Sequence, residues 1–211
     1  MRSLLWVLLA TASVFARAQG DVGLVNLVNG DVSYTPQSGA PARVKAFMKV
    51  REGDRFELPT GTQVRIVYFD GARQENWTGP SGFRAGKAES NPLHGRPADV
   101  AKLPGNVPAR ISRVPELMQN AKLGGVQVRG AQSARPVQPE ALQEARTTYQ
   151  TLRAQLPNDD ITPELYLFSA LNDYQLYEEM VPVVNEMMRK QPENEDVKSL
   201  AAWLISRRGS Q

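Results

Sequence analysis

A chain of 211 residues has room for one full hydrophobic core or two small ones, and its apolar content is too high for wholesale disorder. It holds no cysteine, which excludes disulfides, thiolate metal sites and cysteine nucleophiles, and one histidine, His94, in a polar Gly/Pro-rich run without the organised partners that histidine catalysis needs. The formal charge of +3 falls to +1 once Arg2 and Arg17 are removed with a leader, and a near-neutral total argues against a nucleic-acid partner.

The first residues read as a secretory signal peptide over 1–18. Arg2 supplies a positive start, Leu4 to Phe15 form an apolar run broken only by Thr11 and Ser13, and Ala16-Arg17-Ala18 has the small-x-small pattern of a cleavage site. The run is short of the roughly 20 residues of a comfortable membrane span, although an uncleaved anchor is the other reading. No cysteine follows to carry a lipid, and no second long apolar run exists. The expectation is a periplasmic chain, exported through cleavage near Ala18, with no stable membrane span.

Residues 22–86 read as a small β-domain. Gly23 to Val28 is a strand, Asn29-Gly30 the strongest short hairpin signal, and Asp31 to Tyr34 its return strand. Val44 to Val50 is a further strand after a polar loop. From Val50 to Gly71, the turn clusters Glu52-Gly53-Asp54 and Pro59-Thr60-Gly61 bracket short apolar pieces, and Asp70-Gly71 closes the run. Within it Val64, Ile66 and Tyr68 alternate with Gln63, Arg65 and Val67, the period of a half-buried strand. Residues 72–86 look like another hairpin, with Trp77 and Phe83 on either side of Gly79-Pro80. Six or seven short strands with regular punctuation fit a sandwich, roll or barrel.

The order Val28-Asn29-Gly30-Asp31-Val32, Val50-Arg51-Glu52-Gly53-Asp54-Arg55-Phe56, Pro59-Thr60-Gly61-Thr62-Gln63-Val64, Phe69-Asp70-Gly71 resembles the FecR domain. That family is a β-rich extracytoplasmic module named from a bacterial iron-signalling regulator, with copies in exported proteins beside repeat or peptidoglycan-binding modules. The resemblance implies a binding or sensing role in the envelope and carries over no catalytic residue. The regulator's cytoplasmic segment and membrane span have no counterpart in this chain.

Residues 87–138 are rich in proline and glycine and read as an irregular extension and linker, with a short helix over 115–123 and a strand over 125–129. Between residues 72 and 136 ten Lys/Arg stand against four Asp/Glu, whereas from Val137 onward twelve Asp/Glu stand against seven Lys/Arg, so the two regions complement each other in charge.

From Pro139 the period becomes helical. Pro139-Glu140 and Thr162-Pro163-Glu164 are helix starts, Tyr177 to Lys190 is a third helix, and a fourth runs from about Glu195 to Ile205. Leu142, Ala145, Tyr149, Leu152 and Pro157 lie 35 residues before Tyr177, Met180, Val184, Met187 and Pro192. That period resembles the tetratricopeptide repeat, a helix–turn–helix unit of about 34 residues, with Phe168 and Met180 at positions where the family has small residues. About one and a half repeats over 139–207 is fewer than the three or so a solenoid needs, so packing against the β-domain, itself or a partner must close it. The resemblance implies a groove, on which Trp203 falls with Thr162, Leu165, Ser169 and Asn172 beside it.

The carboxylates of Asp31, Asp54 and Asp70 sit in turns, where they bond backbone N–H groups, and no spacing makes them a metal cluster. No phosphate loop or hydrolase elbow appears. Trp77 is the one site candidate in the β-domain, since an exposed tryptophan can stack on a sugar ring. The composite reading is an α+β protein with segregated halves: an N-terminal sandwich or roll, then tetratricopeptide-like antiparallel helices. Functionally it is an exported, non-enzymatic adaptor that binds an envelope protein, without cofactor or metal. The alternatives are a glycan-binding module for peptidoglycan or polysaccharide, and a sensor related to FecR signalling.

Overall fold

The computed structural model describes residues 20–122 and 136–209, so the leader over 1–18 and the expected strand over 125–129 lie outside the described residues. The architecture is α+β with the two classes segregated along the chain. Ten strands come first: β1 Asp21–Asn29, β2 Ser33–Thr35, β3 Ala42–Arg43, β4 Lys49–Arg51, β5 Arg55–Leu58, β6 Gln63–Tyr68, β7 Arg73–Thr78, β8 Ser81–Ala85, β9 Ser90–Gly95 and β10 Asp99–Lys102. Six helices follow: α1 Val107–Ile111, α2 Val114–Lys122, α3 Pro139–Gln155, α4 Thr162–Asp173, α5 Tyr177–Lys190 and α6 Glu195–Arg208. Among the described residues no helix is long and apolar enough to cross a membrane.

The strands form two antiparallel five-stranded sheets, ordered β10-β7-β6-β1-β4 and β3-β2-β5-β8-β9. The turns expected to make hairpins at Asn29-Gly30 and Gly79-Pro80 instead carry the chain from one sheet to the other. Gly30 does adopt the left-handed φ of +78° that its turn demands. Yet β1 pairs with β4 and β6, while β2 pairs with β3 and β5. Turn residues report the bend and not the partner. β1 is buried from Val22 to Leu27 on both faces, with Val22 and Val25 in the sandwich core and Leu24 in the core shared with the helices, while β4 and β6 pair with its two edges. The strand expected over Val44 to Val50 is also corrected: β3 stops at Arg43, a turn occupies 45–48, and pairing resumes at Lys49.

A stacked column of aromatic rings fills the sandwich. Trp77 lies 4.4 Å from Phe83, Phe83 4.7 Å from Phe56, and Phe56 5.8 Å from Tyr34, measured between ring centroids. Val64, Ile66 and Tyr68 pack beside it, as their alternation requires. The half-buried reading of β6 needs correction on its other face. Arg65 and Val67 are also buried, because the helices cover the outside of this sheet.

The irregular extension is more ordered than its composition suggests. β9 and β10 extend the sandwich to residue 102, and α1 and α2 fold onto the helical half, with α2 close to the helix expected over 115–123. Leu24, Phe47 and Val67 of the sandwich join Val107, Ile111, Leu165 and Leu200 of the helices in one apolar cluster. The two halves therefore share a core.

A polar joint seats beside that cluster. Arg65 of β6 reaches Asp159 at 3.0 Å and Asp160 at 3.7 Å in the loop before α4. Gln74 of β7 donates its amide to Asp160 and accepts from Thr162 Oγ1 at 2.7 Å. Asn26 of β1 donates to Thr162, and Gln191 after α5 donates to the Asn26 carbonyl at 3.3 Å. Each group would be costly if left without its partner, so the joint defines one register for the helices on the sheet.

Candidate functional site

A cleft of about 520 Å³ opens where the sandwich meets α2. That volume is in the range of small-ligand pockets. One wall is the turn at 45–48, clamped onto β1: Phe47 N–H donates to the Val25 carbonyl at 2.7 Å, and Val25 N–H donates to the Met48 carbonyl at 3.0 Å. Phe47 holds a left-handed φ of 57°, rare for a bulky side chain and worth roughly 1–3 kcal/mol of strain. The twist drives its ring into the shared core, where it is 5% exposed, between the half-buried Ala46 and Met48 of the same wall. Tyr34, at the end of the aromatic column, and Pro36 continue this wall. The opposite wall is α2, with Pro115, Glu116, Met118, Gln119 and Lys122.

The lining mixes apolar and charged side chains, and most of the charges are committed to the fold. Lys49 pairs with Asp21 at 2.6 Å, and Lys122 with Asp196 of α6. Asp54 accepts the Arg51 N–H at 3.0 Å, so it caps its turn as expected of a turn aspartate. Burial pushes its carboxyl above the usual range, against the pull of that hydrogen bond and of the Arg51 charge. Lys45 on the sandwich wall and Glu116 on α2 are exposed and make no ion pair among the described residues. The arrangement suits an extended segment that buries apolar side chains between two charges of opposite sign.

The five residues expected to bind lie elsewhere, and the structure does not gather them into one surface. Trp77 is 1% exposed, stacked on Phe83, and its indole N–H donates to Glu75 at 3.0 Å. It cannot offer a face to a sugar, because β7 points it into the sandwich. Leu165 and Ser169 are buried at 1% and 0% exposure, and Asn172 is half-buried near the end of α4. Trp203 is 8% exposed, tilted against Phe168 at 6.1 Å, edge-on to Tyr177 at 6.0 Å, and capped by the Arg207 guanidinium at 5.7 Å.

The reason is that the chain fills this surface with its own helices. α1 lies on α4, and α2 on α6. Ser169 donates to the Arg110 carbonyl, and Asp173 receives both Arg110 at 3.0 Å and Arg113 at 2.5 Å. Burial raises the Asp173 carboxyl, but the hydrogen bonds and charges of Arg113 and Arg110 outweigh it and hold the group below the usual carboxylate range.

The cleft residues were not legible in advance because its walls, 45–51 and 115–122, are far apart in sequence. The one local signal is Lys45-Ala46-Phe47-Met48, where the strand alternation of 44–50 breaks down. Comparison with known proteins returns nothing similar: no family model, no curated protein and no solved structure matches the chain.

Proposed function

We propose that the protein is an exported, non-enzymatic adaptor of the bacterial envelope, with a FecR-like sandwich and tetratricopeptide-like helices, that takes an extended segment of a partner protein into the cleft between sandwich and α2. The leader-like residues 1–18 support export, and the ordered turn grammar of 22–86 supports the FecR-like assignment. The observation that carries the binding reading is the cleft itself: apolar Tyr34, Ala46, Met48 and Met118 on its facing walls, with exposed Lys45 and Glu116 that form no ion pair among the described residues. Its other charged side chains already hold the fold through Asp21, Asp196 and the Arg51 turn, an arrangement of support rather than of acid–base chemistry.

The partner segment that fits carries apolar side chains flanked by an acidic group toward Lys45 and a basic group toward Glu116. The test is affinity capture from envelope extract with the wild type and with Lys45→Glu/Glu116→Lys, which exchanges the two charges at constant net charge. The wild type is expected to retain a discrete polypeptide that the reversed variant loses, both proteins melting alike. Equal retention by the two contradicts the proposal.

A further inference from the structure

The second sheet has its inner face in the sandwich core, and its outer face carries an unusual pairing. Arg55 of β5 and Arg84 of β8 are directly opposite in register, and both are exposed. Like charges directly opposite on neighbouring strands repel, and they lower sheet stability. No carboxylate pairs with either arginine among the described residues. The nearest candidate on the face, Glu57, is engaged elsewhere: it meets His94 of β9 at 2.8 Å across Gly82, where any Cβ would lie 2.4 Å from the imidazole. The register continues the arginine pair on both sides, with Thr35 opposite Arg55 and Asn91 opposite Arg84. Four strands at about 4.8 Å spacing make this row roughly 14 Å long.

We infer that this row, Thr35-Arg55-Arg84-Asn91, is a binding site for a linear acidic polysaccharide bearing carboxylates along its length. Two adjacent guanidinium forks present paired donors in the geometry that carboxylates accept bidentately, and a bridging anion removes the repulsion between them. The flanking hydroxyl and amide of Thr35 and Asn91 suit sugar hydroxyls. Protein interfaces concentrate apolar and aromatic side chains at their centre. This row has none, and the exposed large apolar residue of the sheet, Leu93, sits in the edge strand β9. The site is independent of the cleft and stands or falls on its own observation.

Polygalacturonate is the probe, with dextran as the neutral control and a DNA duplex as the other polyanion, each measured on the purified full-length chain at low salt. Wild-type protein is expected to bind polygalacturonate and not dextran, with affinity falling as salt is raised. Arg55→Gln/Arg84→Gln should weaken that binding at least tenfold at a melting temperature no lower than that of the wild type, since it also relieves the repulsion. Arg146→Gln/Arg189→Gln, which removes the same charge from the helical half, should change it less than twofold. Equal losses in the two double variants, equal affinity for the DNA duplex, or no binding of polygalacturonate would each overturn the assignment.

Discussion

At the scale of single residues, the side chains that decide this structure are charges placed where neutral groups would be cheaper. Arg65 is buried against Asp159 and Asp160, and Lys190 against Glu164 at 2.9 Å. Removing one member of such a pair strands the other in a low-dielectric site. Asp173 gives the cleanest readout, since its side chain is 5% exposed between Arg110 and Arg113. Asp173→Asn is expected to cost about 2 kcal/mol at neutral pH, discounted for the partial exposure of the two arginines. Because the folded-state value of Asp173 is depressed, its contribution is present above the ordinary value of 3.8 and is lost as pH falls through the depressed one. Denaturant midpoints should therefore show a constant gap between wild type and variant from about pH 5 upward, closing as the solution is acidified below that ordinary value. A gap that widened on acidification would contradict the assignment.

At the scale of elements, the sequence patterns that set local conformation were readable and those that set partners were not. The helices α3 and α4 fall where their Pro/Glu starts place them, α5 spans Tyr177 to Lys190 as its apolar period requires, and α6 opens on Asn194, whose side chain caps the Asp196 and Val197 N–H groups. The strand turns were legible as bends. Whether a bend returns within its sheet or crosses to the other depends on which faces are buried, as β1 and β6 show, and that depends on residues far along the chain. The same cause hid the covering of α4 and α6. Nothing local to Val107 or Val114 says that α1 and α2 will lie on α4 and α6. Their packing has a measurable consequence. Ile111 of α1 is fully buried, and Ile111→Ala is expected to cost about 3 kcal/mol in denaturant unfolding. Amide protection across residues 165–172 should fall with it, before that of α5. A loss below 1 kcal/mol with α4 protection unchanged would mean that α1 does not cover that surface.

At the scale of the whole molecule, the two halves are joined by a common core and by the polar joint from Asn26 to Gln191. The sandwich packs on the helical half through that core, and α1 and α2 lie on α4 and α6. The helical surface expected to bind, with Leu165, Ser169 and Trp203, is thereby consumed in folding, and we propose that binding passes to the cleft beside α2. A photo-crosslinking amino acid placed at Met48 in the cleft, and separately at half-buried Asn172 near the end of α4, tests this in intact cells. A discrete adduct to one partner is expected from Met48 and none from Asn172. An adduct from Asn172, with none from Met48, would put the binding site on α4 and overturn the proposal.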